Sequence, residues 1–313
     1  MYDIVKSLIH KYNRIIIHRH KNPDGDAYGS QMGLKRLIEL NYPDKEVYAV
    51  GDENTFNFLG HMDIIPDDYY YGSLAIVVDV CVHRLISDKR YLKADEILVV
   101  DHHLNEPDFK CISIIESDHI ACAGLLASVF IENDCIFDEL AATRFLTGIV
   151  TDSGRFVYPK TSAETLETAA YLVRQGADLD WIYDKLYTEE LNFKKLKGYF
   201  INNFKITENN VAYMKNDKTV KDMFGVTTFT VSRAMVNQMS SIRNINIWAN
   251  FTEEDDGNVL VELRSGKESI VHIARKYGGG GHALACGCSL SSLDEVEKVL
   301  KDLDDFSGGV NNE

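Results

Sequence analysis

The sequence predicts an α/β protein of two domains: an N-terminal domain with a mostly parallel sheet flanked by helices, then a smaller α/β domain with a mixed sheet. Three observations carry this expectation. Four apolar runs in the first hundred residues alternate with segments of helical spacing, as βαβ units do. After residue 205 the pattern changes to paired, hairpin-like runs. Aspartates and histidines also collect just past the carboxyl ends of the apolar runs, where open α/β sheets bind ligands.

Taken in order, MYDIVKSLIHKYN reads as a short amphipathic helix with Ile4, Val5, Leu8 and Ile9 on one side, not as a targeting peptide. RIIIH (14–18), EVYAV (46–50), SLAIVVDV (73–80) and EILVVD (96–101) are the strands. AYGSQMGLKRLIEL (27–40) has helical spacing at Met32, Leu34, Leu37 and Ile38. Helices follow near 122–132, 138–150, 161–175 and 179–187, with Gly176 as the stop signal between the last two. These elements set a first domain at 1–188. EELNFKKLKGYFINNF predicts a linker helix over 189–205, the expected hinge between the domains.

The second domain, 206–306, opens with KITENNVAYMK and NINIWANFTEEDDGNVLVELR, two hairpins, the second turning at Asp-Asp-Gly. ESIVHIARKY (268–277) is helical, GGGGH (278–282) breaks it, ALACGCSL (283–290) returns to strand, and LDEVEKVLKDL (293–303) is a last helix. SGGVNNE (307–313) predicts a disordered tail.

The formal charge of −15 repels nucleic acid at long range, which excludes long duplex DNA as a partner. An anionic substrate must be small, or be met by cations and a local basic patch. Six cysteines without CxxC spacing predict a cytoplasmic protein with reduced thiols. No apolar run approaches the roughly 18 residues of a membrane span.

The chemistry concentrates in four segments. His20, Asp24 and Asp26 follow the first strand, Asp79 ends the third, Asp101, His102 and His103 follow the fourth, and Asp152 lies in TGIVTDSGRF. A single aspartate after a strand is usually a helix cap, and Asp26, just before a helix, is placed for that role. Four such segments at one sheet edge instead point to a metal-binding cluster.

HxxxDxD (20–26), the strand-end Asp79, DHH (101–103), TGIVTDSGRF (147–156) and GGGGH (278–282) resemble the ordered motifs of the DHH phosphoesterase superfamily with a DHHA1 C-terminal domain. The wording HRHxxPDxDAYGSQ is most similar to its bacterial oligoribonuclease (nanoRNase) and pAp phosphatase family, pAp being 3′-phosphoadenosine 5′-phosphate. Two departures stand out: ACAGLL (121–126) replaces a stretch often rich in Ser and Thr, and Val80-Cys81 follows Asp79 where smaller or hydroxylated residues are common.

The resemblance implies an active site in the cleft between the domains, holding two divalent cations. His20, Asp24, Asp79 and Asp152 would hold the first; Asp26, Asp79, His102 and Asp152 the second, with Asp79 bridging. Oxygen-rich sites with one imidazole per ion suit Mn²⁺ better than Mg²⁺. Such a pair lowers the pKa of a water and directs it at phosphorus. His103 would face the scissile phosphate, with Asp101 behind the ligands.

The glycine run follows a helix and precedes a strand, so it is neither a dinucleotide fingerprint nor a P-loop. Arg264, Ser265, Gly279, Gly280, Gly281 and His282 are expected to bind the substrate, with Lys267, Arg275 and Lys276 supplying positive field. Cys286 and Cys288 read as small buried apolar residues, and Arg155 as either structural or substrate-facing. The implied activity is exonucleolytic hydrolysis of short RNA and dinucleotides such as pApA, with dephosphorylation of pAp to AMP. Competing readings are a cyclic-dinucleotide phosphodiesterase, a manganese inorganic pyrophosphatase and a non-catalytic nucleotide sensor. Direction of attack and a homodimer are left open.

Overall fold

Tyr2–Lys11 forms the first helix (α1) and Arg14–His18 the first strand (β1) of a computed structural model that describes residues 2–310. By internal contacts the chain falls into two units, Met1–Thr188 and Glu189–Glu313.

In the first unit, β1 is followed by Gly25–Asn41 (α2), Glu46–Ala49 (β2), Ser73–Val78 (β3), Glu96–Asp101 (β4) and Ile112–Ile115 (β5). The strands make one parallel sheet in the order β2-β1-β3-β4-β5. Burial on both faces explains the uninterrupted apolar runs: every residue of β3 is buried. The short β5 carries too few apolar positions to be separated from loop by pattern, and the sequence reading misses it. Cys122–Ile131 (α3), Glu139–Asp152 (α4), Ala163–Arg174 (α5) and Leu179–Tyr187 (α6) complete the unit. The principal core, including Ile15, Ile17, Leu34, Leu74, Phe130, Phe145 and Ile149, joins the sheet to the helices.

Glycine sets how closely α2 and α4 approach. A Cβ on Gly29 would stand 2.5 Å from the Arg144 carbonyl oxygen, inside any tolerated contact, so the two helices meet backbone to backbone. This contact carries the start of α2 to the end of α4.

In the second unit, Leu191–Asn203 (α7), Lys205–Ile206 (β6), Val211–Asn216 (β7), Thr219–Phe224 (α8), Ile247–Glu253 (β8), Val259–Ser265 (β9), Val271–Lys276 (α9), Gly280–Gly281 (β10), Ala285–Leu290 (β11) and Val296–Val310 (α10) follow in order. The mixed sheet runs β10-β11-β9-β8-β7-β6, with only the β7/β8 pair parallel. One face carries the Phe251, Leu263 and Leu300 core, the other the core of Leu196, Phe200, Met214 and Met235. Leu196 and Phe200 belong to α7, so the segment expected as a linker helix packs into this unit's own core.

The expected tail also differs from the structure. α10 continues through Val310, because Ser307 is buried and donates its hydroxyl to the Asn209 carbonyl at 2.7 Å. Residues 311–313 of that expected tail lie outside the described residues. Among the described residues no helix is long and apolar enough to cross a membrane.

Candidate metal centre and substrate pocket

Every expected ligand of the first unit sits at the carboxyl edge of the parallel sheet. His20 follows β1 by two residues, and its loop is pinned by the Lys21 N–H donating to Leu85 O at 2.7 Å. Asp24 caps α2, its carboxylate accepting from the Ala27 N–H at 3.0 Å, so the cap is Asp24 and not Asp26 as the sequence reading allowed. Asp152 is the last residue of α4, two residues beyond the helix end expected from pattern.

Asp26 has a longer-range duty. Its Oδ2 accepts from the Cys122 N–H at 2.7 Å and its Oδ1 from the Ala123 N–H at 2.8 Å, while Ala121, the N-cap of α3, offers no side-chain acceptor. The carboxylate thus satisfies two orphan donors of α3 and sits on the positive end of that helix. This accounts for a helix start at ACAGLL without a Ser or Thr cap. Gly148 makes the room, since a Cβ there would lie 2.8 Å from Asp26 Oδ1.

Asp79 stands at the centre, 2 % exposed, with a left-handed φ of 59°. That conformation costs a non-glycine residue roughly 1–3 kcal/mol and turns the side chain out of the strand path. The Asp79 N–H donating to Val100 O at 2.9 Å holds it in place. Its Oδ2 lies 3.4 Å from His20 Nε2 and its Oδ1 3.3 Å from His102 Nε2. His20 Nε2 is also 3.7 Å from Asp24, and His102 Nε2 is 3.6 Å from both Asp26 and Asp152.

Second partners orient the imidazoles. His20 Nδ1 meets the Lys21 carbonyl at 2.9 Å and His102 Nδ1 the His119 carbonyl at 3.3 Å. A carbonyl only accepts, so each Nδ1 carries a proton and each Nε2 faces the carboxylates, where it can offer a lone pair once a metal ion displaces its own proton. Buried His102 Nε2 and Asp79 Oδ1 have no hydrogen-bond partner. A ring nitrogen and a carboxylate oxygen facing each other across 3.3 Å need a proton or a metal ion between them. Three groups, His20-Asp24-Asp79, Asp26-His102-Asp152 and Asp79-His102-His103, each place ligand atoms within 4.8 Å of one another and could hold a metal ion.

Without an ion, protons must balance the crowded charge. Burial pushes the Asp152 carboxyl up to about 7, with Asp24 and Asp79 adding repulsion. Burial, then Asp79 and Asp152, hold Asp26 well above the usual carboxylate range. Burial opposes the charge on His20 and His102, yet the facing carboxylates lift them to about 10 and about 9. A divalent cation replaces these protons with charge of the same sign.

His103 differs from its neighbour. Its Nδ1 bonds Asp101 Oδ1 at 2.7 Å, which raises its pKa, and about half of the side chain remains exposed. Asp101, buried at the end of β4, also accepts from the His102 and His103 N–H groups. Beside this cluster lies a hollow of about 340 Å³ bounded by His20, Asp79, Val80, Cys81 and His103, with Lys21 and Asn22 at its rim. Arg155 stacks over Tyr187, 4.8 Å from the ring centroid.

In the second unit, Arg264, Gly280, Gly281 and His282 line one hollow of about 550 Å³. Ser265 and Gly279 are not in its lining. The Ser265 hydroxyl accepts from the Lys267 and Glu268 N–H groups and closes the turn after β9. Gly279 is packed so closely that a Cβ would lie 2.1 Å from Gly287 O. Arg233 and Glu262 also line the hollow, and neither was singled out from sequence. Arg233 lies in an irregular segment some thirty residues before Arg264, where periodicity gives no signal.

Two family models cover these units: the DHH family N-terminal domain matches residues 14–149, and the DHHA1 domain matches 217–308. Over 94 % of this chain, and 94 % of its own length, a Bacillus subtilis protein is 35 % identical; it is named bifunctional oligoribonuclease and PAP phosphatase NrnA.

This chain belongs to the DHH family.

A Mycoplasma genitalium protein of the same name is also 35 % identical, over 94 % of each chain. Among solved structures, an exopolyphosphatase-related protein from Bacteroides fragilis superposes with a TM-score of 0.79 at 25 % identity, covering 100 % of this chain and 97 % of that one. DHH-family phosphoesterases depend on metals, in keeping with the clusters around Asp79.

Proposed function

We propose that the chain is a metal-dependent phosphoesterase that cleaves short oligoribonucleotides and dinucleotides to mononucleotides and removes the 3′ phosphate of pAp. The observation that carries this reading is the convergence on Asp79 of ligand atoms from four separate segments. The substrate class follows the names of relatives that match nearly the whole chain.

In this reading His20, Asp24, Asp79 and Asp152 would hold one divalent ion and Asp26, Asp79, His102 and Asp152 would hold the other, with Mn²⁺ best matched to mixed carboxylate and imidazole donors. The ions supply Lewis acidity and a water of lowered pKa. The chain's own groups do the rest. Asp79 presents one oxygen toward each imidazole, which suits a bridging role. His103, whose charged form Asp101 favours through Nδ1, would offer its other N–H to the phosphate oxygens as charge builds there. Arg264, Gly280, Gly281 and His282 receive the end of the substrate away from the scissile bond. The six free thiols fit a reducing cytoplasm as the place of action.

The deciding experiment is a product time course on 5′-labelled tri- and pentaribonucleotides, run beside pAp, a cyclic dinucleotide and pyrophosphate, with Mn²⁺ and after chelation. Mononucleotide products and AMP that vanish with EDTA are expected. Turnover confined to pyrophosphate or to the cyclic dinucleotide, or nucleotide binding with no hydrolysis, would replace this reading.

A further inference from the structure

The hollow of the second unit contains a carboxylate where an anion-binding pocket would be expected to have none. Glu262 projects from β9, and its two oxygens hold different guanidinium groups: Oε1 accepts from Arg233 Nε at 3.1 Å and Oε2 lies 2.9 Å from Arg264 Nη2. Arg264 is tied back by donating to the Leu263 carbonyl at 2.9 Å and is only 18 % exposed, whereas Arg233 is 61 % exposed.

Arg233 is nonetheless well placed. It lies in a π-helical turn, Thr230–Ala234, whose Val231 and Ser232 carbonyls accept from Asn250 Nδ2 at 2.7 and 2.6 Å. Asn216 in turn donates to Asn250 Oδ1 at 2.7 Å, and all of these groups except the arginine are buried. Such turns are often found at functional sites. Across the sheet, Asn250, Glu262 and Gly287 share one rung. One rung therefore anchors the turn, carries the carboxylate, and leaves the opposite wall without a side chain. The Phe229 ring backs the Arg233 guanidinium, 5.6 Å away.

We propose that Arg233 is a second phosphate-binding residue beside Arg264, and that Glu262 is an internal counter-ion which the substrate's terminal phosphate displaces. The inference deepens the phosphoesterase reading and rests on it for the identity of the substrate. Two guanidinium forks on one two-oxygen anion have the geometry that recognises phosphate. A terminal phosphomonoester brings up to two negative charges, and can outcompete a single carboxylate for the pair. A hydroxyl end brings none, so the Glu262 tie stays closed against it. The site thereby prefers 5′-phosphorylated ends.

The test separates KM from kcat on pApA and on ApA, for Arg233→Ala, Arg233→Lys and Glu262→Gln. Arg233→Ala is expected to raise KM for pApA about tenfold more than for ApA with little change in kcat, and Arg233→Lys to recover only part of the loss. Glu262→Gln is expected to lower KM for pApA several-fold. Equal effects on both substrates, or an Arg233→Ala KM within twofold of wild type, would overturn the proposal, as would a Glu262→Gln KM that rises. Calorimetric binding of 5′-AMP and adenosine in EDTA gives a readout free of turnover. AMP binding that weakens about tenfold in Arg233→Ala supports the clamp even if no phosphoester is hydrolysed, in which case the function reading alone fails. AMP binding that is absent in wild type, or unchanged in the variant, sinks the clamp and leaves that reading standing.

Discussion

Replacing Asp79 by asparagine should separate metal binding from folding. Asparagine has the same shape and tolerates the left-handed backbone that this position requires, φ 59°, so the fold has no steric reason to suffer. The change removes one negative charge from a site in which Asp26 and Asp152 both lie 3.6 Å from the same imidazole nitrogen that Asp79 approaches at 3.3 Å. Carboxylates so placed are at most about 7 Å apart, and each ionised pair then costs about 2 kcal/mol at an effective dielectric near 20. Asp79 also faces the His20 and His102 imidazoles at 3.4 and 3.3 Å, which without metal are protonated, and these closer attractions outweigh the repulsion relieved, so the metal-free variant should melt a few degrees below wild type. Metal widens the difference. At a concentration of about 100 Kd, binding stabilises wild type by about 2.7 kcal/mol. In a unit of this size that is roughly 5–10 °C. Loss of a carboxylate shared by two imidazoles should weaken binding at least as much as loss of an outer partner, about 100-fold. The same Mn²⁺ concentration then yields only about 0.4 kcal/mol, or about 1 °C. Differential scanning calorimetry with and without Mn²⁺ measures both quantities. An Asp79→Asn protein with the full metal-induced shift would refute the central place given to this residue, and one that melts above wild type without metal would refute the electrostatic argument.

Gly148→Ala should push against Asp26 Oδ1 and the Ala123 Cβ, at 2.8 and 2.6 Å from the new methyl group. A loss of about 1–3 kcal/mol by denaturant unfolding, together with weaker Mn²⁺ binding, is expected. Asp138→Ala removes the α4 cap to Ala141 N and the pair with Arg36, 2.7 Å away, on the far end of the helix from Asp152. It should cost about 1 kcal/mol and leave the metal-induced melting shift intact, which calorimetry reads directly. Burial pushes the Cys288 thiol up to about 11, so only about a thousandth is thiolate at pH 8. Iodoacetamide should label it slowly in the folded protein, tenfold faster per pH unit below that value, and quickly in urea; rapid labelling at pH 8 would show the burial to be wrong.

Local pattern alone reveals the parallel strands and where the candidate ligands fall. Strands buried on both faces must be apolar throughout, so RIIIH, SLAIVV and EILVV announce themselves without any long-range information. The motif residues fall at strand ends because chain turns and helix starts are local events, and Asp-Asp-Gly and the glycine run mark turns for the same reason. Packing decided the rest. Whether Asp24 or Asp26 caps α2, and that Asp26 instead serves the start of α3 almost a hundred residues away, depends on the approach of α2 to α4 that Gly29 and Gly148 permit. The nitrogen that His20 and His102 each turn toward the carboxylates is set by a carbonyl on the other side of the ring, and His102 takes its own from His119 across a separate loop. α7 joins the second unit through Leu196 and Phe200, and α10 outruns its apolar pattern because Ser307 finds a buried acceptor at Asn209. Arg233 and Glu262 meet only because a buried asparagine anchors an irregular turn beside β9. Propensity and pattern act over a few residues, while these contacts are set by which surfaces can approach once the chain is folded.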